Sequence, residues 1–128
     1  MVAAVRRGAG LRRDSEAEQT LRAGVAAVAA RLTYGEAHDL TDYLPPKLGS
    51  AIIASLAPNA GLRFRPVDDL YDELAAQLFI PHEEAAKRAR VLFTVLCEAL
   101  PAREISDLRS QLPRSFAGLF PDAHRPAR

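Results

Sequence analysis

Apolar residues recur at helical spacing along nearly the whole chain. Leu21, Val25, Val28 and Leu32 are four, three and four residues apart, the interval that lines side chains up on one stripe of a helix. This predicts a helix over 16–31, capped by Asp14 or Ser15, with Glu16 and Glu18 in a first turn that favours negative charge. Thr33 with Glu36 reads as a capping box, hydroxyl and carboxylate each taking one orphan backbone donor. The helix it opens carries Ala37, Leu40 and Leu44 inward and stops before Pro45. A proline at a first helical position then opens a short helix with Leu48, Ile52 and Leu56 on one face.

Breakers follow in APNAGLRFRP, residues 57–66, which reads as a linker. Beyond it, Val67, Leu70, Tyr71, Leu74 and Leu78 mark a further amphipathic helix, with Asp68, Asp69, Asp72 and Glu73 near its start. Pro81 opens the longest helix, whose stripe is Ala86, Ala89, Phe93, Leu96, Cys97 and Leu100. A short helix carries Ile105, Leu108 and Leu112, and Pro113 opens a last one with Phe116, Leu119 and Phe120. The tail PDAHRPAR, 121–128, reads as disordered.

The two halves repeat each other. Displaced by 68 residues, Leu32–Pro45 overlays Leu100–Pro113 with six of fourteen positions identical: Leu32/Leu100, Glu36/Glu104, Asp39/Asp107, Leu40/Leu108, Leu44/Leu112 and Pro45/Pro113. Chance gives about one identity in such a window, so the pattern reads as an internal repeat. The stripes coincide as well, with Val25 over Phe93, Val28 over Leu96, Leu48 over Phe116 and Ile52 over Phe120. Carried upstream, the same displacement makes residues 1–11 the remnant of the helix at 67–79. It pairs Val2 with Leu70, Leu11 with Phe79, and Arg6 with the inward Leu74.

This gives an all-α fold, a helical bundle of seven or eight helices built from two tandem pseudo-symmetric repeats. One domain spans 1–120, with repeat one at 1–56, the linker at 57–66 and repeat two at 67–120. A chain of 128 residues suits one core that hides roughly 65–70 % of its unfolded surface.

The doubled pattern is a long Ala/Arg-rich helix, then L-[TP]-x-x-E-x-x-D-L-x-x-x-L-P, then a short apolar helix. It resembles the bacterial DUF2267 family over residues 16–52 and 67–120. Gln111 before the second Leu-Pro follows the family pattern, whereas Tyr43 departs from it, and Pro101 stands where Thr33 caps the first copy. The resemblance implies an all-helical fold and carries over no catalytic residue.

Composition narrows the function classes. Net charge is +1, yet all 16 acidic residues lie within Asp14–Asp122, a span holding only 11 of the 17 basic ones. The body is therefore mildly acidic, and the basic character sits at the ends. Arg6, Arg7, Arg12 and Arg13 are candidate anion contacts, which gives an alternative reading as a nucleic-acid-associated protein. The acidic body and the absence of aromatics among these arginines disfavour it. No run approaches the ~18 apolar residues of a membrane span, and no signal-peptide core follows the N-terminus, so the expectation is a soluble cytoplasmic protein.

Candidate chemistry is sparse. Cys97 is a lone cysteine on an apolar stripe and reads as an inert buried thiol. His38, His82 and His124 lie in three different elements at no ligand spacing, and the serines lack a nucleophile-elbow context. The acids Glu36, Asp39, Glu104 and Asp107 are the most tempting set. They read as structural, the glutamates as capping-box partners and the aspartates in the same favourable N-terminal turns. With Leu40, Leu44, Pro45, Leu108, Leu112 and Pro113 they form the repeat motif. No cofactor, metal or catalytic constellation is expected. Ile53, Leu56, Leu62 and Phe64 are apolar outside the stripes and are the candidate partner surface. The expected function is a non-catalytic interaction or regulatory module, with a protein partner or a second copy of the chain. A helical bundle that binds a small molecule is a further alternative.

Overall fold

The two longest apolar stripes become two central helices. The computed structural model describes residues 1–55 and 65–121, and among them eight helices and no strand. They are α1 (Val2–Ala9), α2 (Asp14–Ala29), α3 (Tyr34–Thr41), α4 (Pro46–Ser55), α5 (Val67–Leu78), α6 (His82–Ala99), α7 (Ala102–Gln111) and a 3-10 helix, Arg114–Leu119. The all-helical bundle is as expected. The linker from 57 to 64 and the tail from 122 lie outside the described residues.

α2 and α6 pack on each other, and each also packs on α1 and α5. α4 lies on α2, α3 touches α4 and α7, and the 3-10 helix closes on α6. Helices enclosed on several sides bury more than one stripe. α2 accordingly hides Ala17, Thr20, Gly24, Ala27 and Ala29 besides the predicted Leu21, Val25 and Val28. α6 hides Ala85, Arg88, Leu92 and Val95 besides Ala89, Phe93, Leu96 and Cys97. The crossing is close at Gly24, where a Cβ would come within 2.4 Å of the Leu92 Cδ2 atom. At the other end, Phe93 meets Phe120 edge-on with centroids 5.3 Å apart, and the Arg109 guanidinium covers the outer face of Phe120 at 4.7 Å, a favourable placement for a cation.

Helix ends depart from expectation in three places. Arg13, not Asp14 or Ser15, is the N-cap residue of α2; Asp14 is already helical and its carboxylate pairs with Arg6 at 2.9 Å. α1 ends at Gly10 with φ 67° and α5 ends at Phe79 with φ 56°. In each case the next amide reaches back five residues, Leu11 to the Arg6 carbonyl and Ile80 to the Ala75 carbonyl, the closure that satisfies a helix's last acceptors. These two caps are 69 residues apart, not 68. The pairing of Val2 with Leu70, Arg6 with Leu74 and Leu11 with Phe79 is therefore one residue out of step. α1 turns Val5 and Ala9 inward and leaves Arg6 at the surface, because the α1–α2 connection is one residue longer than the α5–α6 connection.

The sequence reading placed neither of two arginines in the core. Arg31, just past the C-terminus of α2, is 0 % exposed. Its guanidinium donates to the Ala27 carbonyl at 2.8 Å, to Glu73 at 3.1 Å and to Asp69 at 3.0 Å, so it ties α2 to α5. Arg88 donates to Glu84 at 2.9 Å and to the Thr20 hydroxyl at 2.9 Å. Both charges are neutralised where they are hidden, as burial of an ion requires.

Candidate functional site

The site is set by what the two capping motifs do with their glutamates. Thr33 caps α3: its hydroxyl accepts the Glu36 amide at 3.2 Å. The reciprocal bond of a capping box is not made, because the Thr33 amide donates to Gln111 Oε1 of α7 at 3.0 Å. The Glu36 carboxylate is thereby released from its expected role. In α7 that role is chemically impossible, since the N-cap residue is Pro101, which has no N–H to offer. Glu104 is released as well.

Both side chains turn inward, Glu36 to 9 % and Glu104 to 7 % exposure. They meet across the contact between α3 and α7, and Asp107 joins them from the exposed side. One carboxylate oxygen from each of Glu36, Glu104 and Asp107 lies within 4.8 Å of the other two. The glutamates hold the third position of their helices, where the backbone dipole lowers the cost of clustered negative charge. Asp39 and Asp107 stand a turn further on, outside the first turns in which the sequence reading placed them.

The electrostatics follow. Burial, then the neighbouring charges of Glu104, Asp107 and Asp39, push the Glu36 carboxyl up from 4.5 to about 7. A protonated Glu36 can also donate a hydrogen bond to Glu104. The Glu104 Oε1 atom is buried without a hydrogen-bond partner. Chemically, such a cluster can hold a proton or a cation between two helices.

The other candidate residues lie apart from it. Arg6 is committed to Asp14, while Arg7, Arg12 and Arg13 are exposed. Ile53 is half-buried and lines a shallow hollow with Leu44 and Pro46; Leu56, Leu62 and Phe64 lie outside the described residues. Leu40, Leu44, Leu108 and Leu112 are buried in the core, and Pro45 and Pro113 stand just past the ends of α3 and α7. Burial pushes the Cys97 thiol up to about 11, so at neutral pH it is not a thiolate. The His38 ring lies tilted beside Tyr34, centroids 6.1 Å apart, and His82 bonds to Asp72 at 2.8 Å.

One residue outside the candidate list stands out. Phe79 is 93 % exposed and adopts the left-handed backbone conformation. The signal was faint: a helix that must end before Pro81 with no glycine or asparagine to form its cap. Phe79 borders a hollow of about 490 Å³ lined also by Ala23, Ala26, Ala51, Ile52 and Leu78, at the junction of α2, α4 and α5. Among the described residues no helix is long and apolar enough to cross a membrane.

Comparison with known proteins agrees with the family resemblance. No curated protein matches the sequence. The model of a family described as an uncharacterized conserved protein matches residues 1–119, and the chain belongs to that family, DUF2267.

Proposed function

We propose that this protein is a non-catalytic interaction module of the bacterial cytoplasm, and that it engages a protein partner through Phe79 and the hollow beside it. The carrying observation is the double cost at Phe79. A left-handed conformation penalises any side chain with a Cβ by roughly 1 kcal/mol, and a phenyl ring left in water forgoes the gain of burial, roughly 1.5–3 kcal/mol. Glycine avoids both, as at Gly10, which ends α1 in the same conformation. Keeping the ring makes physical sense where something covers it. The hollow of about 490 Å³ next to it offers the partner an apolar seat, with Arg22 and Gln77 on its lining to orient the contact.

The architecture behind this surface is a tandem duplication, two copies about an approximate twofold axis. On such an axis a residue meets its own counterpart. Three pairs 68 apart support it: Thr20 bonded to Arg88, Gly24 beneath Leu92 and Glu36 against Glu104.

The test compares tagged wild type with Phe79→Gly, each captured from a nuclease-treated lysate of the source cells and read by quantitative mass spectrometry. The expected result is a stoichiometric protein recovered with the wild type and lost with F79G, circular dichroism of the two being the same. Equal recovery with both, or recovery of the bait alone, overturns the reading.

A further inference from the structure

We propose that Glu36, Glu104 and Asp107 form a binding site for a hard divalent cation, of the class of Ca²⁺, Mn²⁺ or Mg²⁺, which bridges α3 and α7. Three carboxylates offer oxygens within 4.8 Å of one another. Three oxygens mutually within 4.8 Å share a point at most about 2.8 Å from each, close to the ~2.3–2.6 Å of a Ca²⁺–oxygen contact, so a small adjustment of the side chains lets one ion reach all three. Only oxygen donors are present, which selects hard cations over zinc or copper.

The independent observation is Glu104. It is 7 % exposed, is directed into the cluster, and its Oε1 atom is buried with no hydrogen-bond partner. A buried carboxylate oxygen in a protein is ordinarily hydrogen-bonded, ion-paired or metal-bound. The capping position, Pro101, has no N–H to offer, and the proton that Glu36 can donate to Glu104 is the alternative occupant of the same cluster, which a cation would displace. Nor does a cation of the protein supply the partner: among the described residues no ion pair includes Glu104. The exposed Asp107 leaves an entry path and room for water to complete the coordination sphere. The site is separate from the Phe79 surface, and its fate does not depend on that reading.

The experiment uses the full chain, stripped with EDTA, at pH 7.5. Mn²⁺ binding is followed by electron paramagnetic resonance, and thermal unfolding is measured with MnCl₂, CaCl₂ or MgCl₂. The expected result is one saturable Mn²⁺ site and a rise in Tm with at least one of the three salts. Glu104→Gln keeps the shape and loses at least about tenfold in affinity. It folds at least as stably as the stripped wild type, because one of the clustered charges is gone. Glu98→Gln, an exposed acid elsewhere on α6, binds as the wild type does. No saturable site at millimolar metal, or equal binding by wild type, E104Q and Glu36→Gln, overturns the proposal and leaves a pair of carboxyls that holds only a proton.

Discussion

Arg88 Nη1 donates to Thr20 Oγ1 at 2.9 Å, joining α6 to α2 through two residues 68 positions apart. The hydroxyl is the partner that lets a guanidinium lie at 9 % exposure, Glu84 taking the remaining charge at 2.9 Å. Thr20→Val keeps the shape and removes the acceptor. It should cost about 1–3 kcal/mol, the penalty of leaving a buried donor unmade. Arg88→Met removes donor and charge together and should cost less, although it leaves Glu84 alone. Urea unfolding of the two variants orders them, and a costlier R88M would show that the Glu84 pair outweighs the Thr20 bond.

Arg31 makes a sharper case. It is fully buried and serves three acceptors on two helices. Arg31→Ala should destabilise by about 3–5 kcal/mol, because Glu73 loses its cation, Asp69 keeps only the exposed Arg65, and a large side chain leaves a void. Asp69→Asn and Glu73→Gln should each cost less, since both acids are partly exposed and the other retains the guanidinium. Chemical denaturation measures all three; an R31A loss under about 1 kcal/mol would mean that water readily replaces the guanidinium.

Phe79 and Gly10 close their helices with the same backbone geometry, so exchanging residue type at each should give opposite results. F79G should unfold at the wild-type temperature or above, the relief of a left-handed β-carbon offsetting the greater freedom of glycine in the unfolded chain. Gly10→Ala should lose about 1 kcal/mol, although a Cβ there would touch nothing within 4 Å. Scanning calorimetry separates the conformational cost from crowding, and an unchanged Tm for G10A would contradict it.

The Glu36 carboxyl predicts a pH dependence in metal-free buffer. Its folded-state pKa is raised from 4.5 to about 7, so between those values the native state holds more protons than the unfolded one. Stability therefore falls as pH rises through that window and levels off above it. The total loss is at most roughly 3 kcal/mol. Glu104, Asp107 and Asp39 face the group and all act in the same direction. Denaturation midpoints at pH 5 and pH 8 in EDTA should differ in the wild type and converge in E36Q; an undiminished difference in E36Q assigns the effect to other groups.

The helices were legible because their signals are local. Stripes at three- and four-residue spacing, the Thr33 cap and the prolines at 45, 46, 81 and 113 act within a turn or two of their own positions. The same locality misled at the glutamates. A Thr-x-x-Glu spacing correctly places Glu36 at the third helical position and gives no hint that Gln111, 78 residues away, takes the Thr33 amide. At Glu104 the chain did carry the clue, since Pro101 has no proton to give, but where the released carboxylate points depends on how α3 meets α7.

Arg31 shows the limit from the other side. It falls at the end of an amphipathic helix, where an arginine usually reaches water and suits the helix dipole. Its burial depends on Asp69 and Glu73 of α5 arriving opposite it. Likewise, the register of α1 turned on a single extra residue in the α1–α2 connection, which side-chain periodicity does not report. By itself the sequence determined which segments are helical and which faces are apolar, because backbone hydrogen bonding and hydrophobic periodicity are properties of neighbours. Only the tertiary structure decided which charges are buried together, because a carboxylate's partners, and with them its proton, belong to whatever helix packs across from it.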